Sequence, residues 1–218
     1  MEGIESLKGE IKVNRTNKDL FEQYALMGKA LSNSNRLEIM SLLIQAPKTV
    51  ENIAKETELT VANASKHLQT LLKAHLVKNR KYKNYIYYEV FDENIEKLLT
   101  LFFETAQEQL TKANAIIESF AQPSEEEYIL SIEDLEEKMQ KNEIVLVDVR
   151  PSEEYLTAHI PGAISIPVQE LEKRIASLPK DKEVVAYCRG PHCLMSEEAI
   201  MILEKHGRQA VRFSQSVN

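Results

Sequence analysis

Apolar residues recur at steps of three and four positions over most of the first 120 residues, which is the spacing of amphipathic helices. This spacing predicts helices over residues 20–31, 36–44, 50–56 and 61–74. Pro47 ends the second of these helices, and Thr49 and Thr60 are placed to cap the third and the fourth. The third and fourth helices are therefore joined by a short turn.

Two strands are predicted next, around residues 76–79 and over residues 85–90. The residues between them, 80–84, form the tip of a hairpin in which Asn84 is suited to left-handed turn geometry. A short helix, a tight turn, a second capped helix and a hairpin together make a winged helix-turn-helix. The first half is thus predicted to be a mainly α domain of the α+β class.

A long apolar seam follows the hairpin on a helix that Asp92 caps. Its members recur at steps of three and four: Ile95, Leu99, Phe102, Ala106, Leu110, Ala113, Ile117 and Phe120. Packing onto its own domain is one explanation, but a small domain rarely has room for so long a stripe. We therefore predict a homodimer formed through the helix over residues 92–120.

The second half changes to an alternation of helices and short apolar strands. The strands are predicted at 144–149, 164–166, 184–187 and 210–213, and the helices at 132–139, 153–157, 168–178 and 196–206. Such alternation indicates an α/β domain with a parallel sheet flanked by helices. Proline, serine and an acidic run predict a linker over 122–128, which separates a domain at 1–121 from one at 129–218.

Charge is divided unevenly along the chain, whose formal net charge is −7. Residues 1–122 carry equal numbers of acidic and basic side chains, so the excess acid lies in residues 123–218. The segment Leu59–Tyr88 contains no Asp or Glu but several Lys and Arg residues. A solvated helix face is the plain explanation, but so long an acid-free segment in an acidic chain favours phosphate contacts.

The helix over 61–74 is suited to the major groove because its exposed face is small or polar. Hydroxyl and amide groups can bond base edges or phosphates, and long cations on the hairpin suit phosphate or minor-groove contact. The candidate DNA-binding residues are Thr60, Ala62, Asn63, Ser65, Lys66, His67, Gln69, Arg80, Lys81 and Lys83. Double-stranded DNA is the predicted partner.

The segments Ser32–Met40, Leu59–Leu68 and Ala74–Val77, with Tyr87, resemble the ArsR family of bacterial repressors over about residues 20–120. The resemblance implies a homodimer that binds a palindromic operator until a signal arrives. Metal sensors of that family often carry a Cys-x-Cys pair before the recognition helix, and residues 49–57 contain no cysteine. His67 and His75 are isolated, so we expect structural or phosphate-facing roles for them and predict no metal site.

The two cysteines of the chain lie in one short segment between a predicted strand and a predicted helix. That segment is Cys188, Arg189, Gly190, Pro191, His192 and Cys193. The partial positive charge and unpaired N–H groups of a helix N-terminus lower the pKa of a nearby thiol and stabilise anions. Arg189 adds a full charge, and Gly190 permits a tight loop. An inert buried cysteine is the plain alternative.

The segments Asp148–Tyr155, Ala158–Pro167 and Val185–Gly190 resemble a rhodanese domain over about residues 128–213. The resemblance implies transfer of a sulfane sulfur through a persulfide on Cys188. It also implies a framework role for Asp148 and Arg150 in support of the active loop.

The sequence departs from the rhodanese pattern in the loop and at its end. Cys193 stands where many rhodaneses carry an anion-binding arginine, and Pro191 removes one N–H from the loop. We therefore expect weak anion binding and a donor other than thiosulfate. A phosphatase of the related fold is disfavoured because no arginine closes the loop. The glycine-rich turn and closing helix common in rhodaneses do not follow Phe213.

These residues support two functions. In the first, the chain is a repressor whose Cys188 site senses reactive sulfur, an oxidant or a related thiol-reactive signal, and modification of this site weakens operator binding. Attack of Cys193 on a Cys188 persulfide would form a disulfide or polysulfide bridge. In the second, the chain is a sulfurtransferase with a DNA anchor; a redox-inert binding module is the weaker third hypothesis.

Small sulfur species or thiols are the expected partners, and no cofactor is expected. Without a signal peptide or a membrane-length apolar run, we expect a cytoplasmic protein.

Overall fold

A computed structural model describes residues 13–110, 112, 115–116, 130–190 and 193–213. The chain divides into two compact units between Phe102 and Phe103. The predicted linker over 122–128 lies outside the described residues, so the domain limits stay predictions. Among the described residues, no helix combines the length and the apolar character needed to span a bilayer.

Helices make up most of the first unit. They are α1 (Val13–Leu31), α2 (Ser34–Gln45), α3 (Val50–Glu56), α4 (Val61–Lys73) and α5 (Glu93–Gln109). Thr49 and Thr60 cap α3 and α4 by accepting backbone N–H groups, as their positions predict. Helix α4 buries Ala64, Leu68 and Leu71. Since α3 also buries Ile53 and Ala54, the two short helices pack together as a helix-turn-helix, with the polar face of α4 outward.

A three-stranded antiparallel sheet in the order β1-β3-β2 forms the wing of this unit. Its strands are β1 (Lys48–Thr49), β2 (Val77–Tyr82) and β3 (Tyr85–Val90). The sequence missed β1, because two residues carry no periodicity. The five-residue tip was also predicted wrongly, since β2 continues to Tyr82. Lys83, with φ of 53°, has the left-handed conformation that was predicted for Asn84.

The second unit is built around a parallel sheet. Its strands are β4 (Ile144–Asp148), β5 (Ile164–Ser165), β6 (Glu183–Tyr187) and β7 (Ala210–Phe213). Its helices are α6 (Ile132–Gln140), α7 (Ser152–Thr157), α8 (Val168–Arg174) and α9 (Met195–Lys205), with a 3₁₀ turn at Ile175–Ser177. Strands and helices alternate as the sequence predicts, with boundaries that agree to within four residues.

All neighbouring strands of this sheet are parallel, in the order β5-β4-β6-β7. Alternate residues of β4 and β6 enter two separate cores. Val147 and Ala186 pack with helices α8 and α9 on one face, whereas Leu146 and Val185 pack with α6 on the other. Because the strands are parallel, their carboxyl ends meet at one edge, and the cysteine segment follows β6 there.

Gly162 occupies a constrained position in the loop that leads to β5. Its φ is +86°, and a Cβ added there would lie 2.8 Å from Met139 Cε. We expect Gly162→Ala to lower the free energy of unfolding by about 1–2 kcal/mol, through backbone strain and the displaced methionine. Gly207→Ala is the matched control, because Gly207 has φ of +69° and open space around it. Denaturant unfolding should show the larger loss for Gly162→Ala; an equal or larger loss for Gly207→Ala contradicts the steric argument.

Candidate functional site

The outward face of α4 carries the side chains that the sequence assigned to DNA. Five of the assigned residues on and next to α4 are exposed: Thr60, Ala62, Asn63, Lys66 and Gln69. Ser65 and His67 are half-buried. Burial and the positive charges of Arg36 and Lys66 lower the pKa of His67, so its imidazole is neutral at pH 7. A neutral imidazole offers a hydrogen bond rather than a charge to DNA.

The basic side chains of the wing lie on β2 and the turn, and all three assigned residues are exposed. Arg80 is directed to neighbours within the sheet: its Nε lies 3.5 Å from Glu89 Oε2, and its guanidinium lies 5.6 Å from the centre of the Tyr87 ring. Lys83 lies at the turn, with its amino group 5.3 Å from the centre of the Tyr82 ring. The sequence prediction overlooked the exposed aromatic rings of Tyr82 and Tyr85 at this tip.

Cys188 directly follows β6 and is almost completely buried, with 1% of its surface exposed. Its Sγ lies 3.2 Å from Ser196 Oγ, in the first turn of α9, and 3.3 Å from the Cys193 carbonyl oxygen. Cys193 is only half-buried. The two cysteines thus lie together at the start of α9, where the backbone N–H groups of the first helical turn can bind an anion.

Hydrogen bonds favour the thiolate form of Cys188. The Cys193 thiol donates to the Cys188 sulfur and lowers its pKa; burial raises the pKa, and the Ser196 hydroxyl and the backbone N–H groups of Ser196 and Gly190 lower it further. The net direction is downward. The same shared hydrogen bond, together with burial, raises the pKa of Cys193. Within the pair, Cys188 is therefore the more acidic thiol and Cys193 the less acidic one.

The side chain of Arg189 binds a buried carboxylate. Its Nε lies 2.9 Å from Glu154 Oε2, and its Nη2 lies 2.5 Å from Glu154 Oε1. Glu154 lies on α7 and is fully buried, whereas the Arg189 side chain is 20% exposed. The structure therefore brings Arg189 to Glu154, and the charge that was expected to act on the thiol is shared with an acid.

Asp148 and Arg150 lie together at the end of β4. Arg150 Nη2 lies 2.7 Å from Asp148 Oδ2 and donates a second bond, also of 2.7 Å, to the Ala158 carbonyl. The guanidinium lies 5.7 Å from the centre of the Tyr187 ring. Tyr187 directly precedes Cys188 and accepts the Ile160 N–H. The buried pair thus connects two loops to the residue before the cysteine.

The sequence prediction missed Ser196 and Glu154. Ser196 is fully buried in the first turn of a helix, and Glu154 follows another acid in a run that is typical of solvated surface. A signal for Ser196 existed, since a small hydroxyl residue close to a cysteine loop is a plausible donor. No local signal marks Glu154, because only the tertiary fold brings it to Arg189.

Pro191 and His192 of the cysteine loop lie outside the described residues. Within the part of the chain that the structure describes, no three His, Cys, Asp or Glu side chains are grouped to hold a metal ion.

Two family models match the chain in the two units just described. Residues 33–79 match the model for bacterial regulatory proteins of the arsR family, and residues 131–215 match the model for the rhodanese-like domain. The HTH-type transcriptional regulator Rv0324 of Mycobacterium tuberculosis is 40% identical over 193 residues, which are 88% of this chain and 84% of that protein. The chain belongs to the ArsR family of regulators, in a form that carries a C-terminal rhodanese-like domain.

Other relatives of this ArsR-family chain match one unit each. The putative sulfur carrier protein YrkF of Bacillus subtilis is 36% identical over 83 residues, which are 38% of this chain and 44% of that protein. A solution structure of the homodimeric winged helix-turn-helix domain of Mb0332 from Mycobacterium bovis is 34% identical. It covers 51% of this chain and 95% of its own, with a TM-score of 0.42.

The hydrogen bond between the two thiols generates a pH prediction. Cys193→Ala removes the donor, so the pKa of Cys188 should rise, and the midpoint of its reaction with a small thiol reagent should move up by about one pH unit. Cys193→Ser is the matched control, because its hydroxyl can still donate. The rate of Cys188 modification against pH, followed by mass spectrometry, tests this. Equal midpoints for the two variants would show that Cys193 does not stabilise the thiolate.

Proposed function

We propose that this ArsR-family protein is a homodimeric, cytoplasmic repressor whose affinity for its operator changes when Cys188 takes up sulfane sulfur. The observation that carries the proposal is the Cys188–Cys193 pair. The buried Cys188 Sγ lies 3.2 Å from Ser196 Oγ and 3.3 Å from the carbonyl oxygen of the half-buried Cys193, at the start of α9. Hydrogen bonds from Cys193 and Ser196 lower the pKa of Cys188. Such a pair can capture one sulfur atom and then convert the capture into a covalent bridge.

The DNA side of the proposal rests on the face of α4. Asn63, Lys66 and Gln69 are exposed there, while Leu68 and Leu71 fix the helix to the unit. We propose that α4 enters the major groove and that Lys81 and Lys83 of the wing contact phosphates or the minor groove.

The dimer is proposed to form through α5, with a contribution from α1. Of the predicted seam, Leu99 is buried within the unit, while Phe102 and Leu110 expose 41% and 58% of their surface. Phe21 and Tyr24 on α1 are also exposed, at 66% and 60%. So much exposed apolar surface on two helices is typical of an interface. The seam residues Ala113, Ile117 and Phe120 lie outside the described residues.

The sulfur chemistry can be written with a hydrogen disulfide anion, HSS⁻, as donor. The Cys188 thiolate attacks the protonated sulfur, the donor S–S bond breaks, and the electron pair and the proton go to the departing sulfur. The products are a Cys188 persulfide anion and HS⁻. Cys193 Sγ then attacks Cys188 Sγ, and the outer sulfur leaves as HS⁻ with the Cys193 proton. The sulfane sulfur is thereby reduced to sulfide, and the two thiols are oxidised to a disulfide.

The order of the two domains along the chain indicates how a change at Cys188 is transmitted to the DNA-binding unit. The segment over 122–128 joins the rhodanese-like domain to the predicted dimer helix. We propose that a change in the cysteine loop alters the position of this helix, and with it the spacing of the two α4 helices that a palindromic operator requires.

A second candidate is a sulfurtransferase that uses the winged helix as an anchor. The match to the rhodanese-like family and the low pKa of Cys188 favour it. The two functions share the persulfide step. They differ in the fate of the persulfide, because an enzyme passes the sulfur to an acceptor over many turnovers, whereas a switch keeps the bridge.

Removal of the Lys66 side chain tests the proposed face of α4. Lys66→Ala should weaken binding to operator DNA several-fold and reduce the salt dependence of binding by about one counterion, as loss of one phosphate contact requires. Lys97→Ala on α5 is a control, because Lys97 is exposed and pairs with Glu93. Fluorescence anisotropy at several salt concentrations measures both effects. If DNA affinity depends on salt concentration equally in Lys66→Ala and in wild type, Lys66 does not contact a phosphate.

Treatment with polysulfide tests the switch. We expect wild-type protein to lose about tenfold or more of its operator affinity as mass spectrometry detects a persulfide or bridge on the peptide with Cys188 and Cys193. Cys188→Ser should bind DNA and ignore polysulfide, and Cys193→Ser should accumulate the persulfide without the bridge.

The same measurement separates the two candidates. Complete modification of Cys188 with unchanged DNA affinity rules out the switch. Catalytic turnover to a thiol acceptor, absent in Cys188→Ser, then supports the sulfurtransferase.

A further inference from the structure

Four charged side chains, three of them buried, lie close to the Cys188 loop in two pairs. Asp148 binds Arg150 at the end of β4, and Glu154 binds Arg189 from α7. Glu154 also acts electrostatically on Arg150, so the two pairs form one cluster. Asp148, Arg150 and Glu154 each expose 1% or less of their surface.

The charges of this cluster cancel. Arg189 follows Cys188 directly in the chain and could have offered a positive charge to an anionic donor. Its Nε and Nη2 instead contact the carboxylate of Glu154 at 2.5–3.2 Å. An incoming anion therefore meets a thiolate and a neutral cluster.

Because the cluster carries no net charge, the thiolate repels a divalent donor more strongly than a monovalent one. The Coulomb energy between two charged groups is proportional to the product of their charges. A dianion approaching the Cys188 thiolate meets about twice the repulsion that a monoanion meets. The cluster of two ion pairs offers the thiosulfate dianion no net positive charge to offset that repulsion. A hydropolysulfide carries only one negative charge and is repelled less.

We propose that Glu154 is a specificity-determining residue, which neutralises Arg189 so that Cys188 takes sulfur from donors of no more than one negative charge rather than from divalent oxyanions. The proposal rests on the sulfur chemistry proposed for Cys188 above. Glu154 acts through Arg189 and is a positioning residue. With the hydrogen disulfide anion HSS⁻ as the hydropolysulfide, transfer of one sulfur to Cys188 releases HS⁻. With thiosulfate, attack on the outer sulfur breaks the S–S bond and releases sulfite.

A charge series in the full-length protein tests this. Glu154→Gln makes the cluster one unit more positive, Arg189→Gln makes it one unit more negative, and the double variant restores the balance. In each protein, single-turnover persulfidation of Cys188 is followed by mass spectrometry with thiosulfate and with hydropolysulfide. All four proteins are compared at the same pH and the same ionic strength.

The readout is the ratio of the thiosulfate rate to the hydropolysulfide rate, which cancels changes in loop access common to both donors. We expect the ratio to rise about tenfold in Glu154→Gln, to fall in Arg189→Gln and to return to the wild-type value in the double variant. If Glu154→Gln fails to fold, the fall in Arg189→Gln and the return in the double variant still decide.

Two negative outcomes are distinct. If the ratio of the two rates is the same in all four proteins while Cys188 is still persulfidated, Glu154 does not determine donor specificity. That result does not contradict the proposed sulfur switch. Absence of persulfidation with either donor in the wild-type protein overturns the sulfur chemistry itself, and the inference with it.

Discussion

The buried ion pair between Asp148 and Arg150 joins the end of β4 to the loop at Ala158, beside the residue that precedes Cys188. It lies at the carboxyl edge of a parallel sheet, where β4 and β6 end side by side. Arg150 also binds the Ala158 carbonyl and lies against the ring of Tyr187, the residue before Cys188. Buried charges are costly unless they are paired and hydrogen-bonded. Loss of either partner would therefore disturb both loops that frame the sulfur.

The chemistry of the loop depends on competition between burial and hydrogen bonding. Burial of Cys188 opposes its ionisation, yet the Cys193 thiol and the Ser196 hydroxyl more than offset that effect. The same bond that activates Cys188 keeps Cys193 protonated. The pKa values of the two thiols thus differ because of their environments, although the two residues are chemically identical.

The two units divide the work that the proposed function requires. The first presents an exposed polar face on α4 and exposed apolar surface on α1 and α5. The second holds Cys188 almost completely buried at the carboxyl edge of its sheet. In a regulator of the proposed kind, substitutions at the cysteine site can alter the signal that is recognised without altering the DNA-binding face, because the two sites lie in separate domains.

The sequence by itself determined the two fold classes, most of the helices and strands, and the position of both cysteines between a strand and a helix. Hydrophobic periodicity and capping residues are local signals, and they place elements such as α4 and β6 with small errors at the ends. The two-residue strand β1 and the left-handed turn at Lys83 were decided by pairing across the sheet. Likewise, Glu154 reaches Arg189 from a position 35 residues earlier in the chain. Contacts over such separations depend on how the elements pack, and for that reason only the tertiary structure showed that the charge beside Cys188 is neutralised.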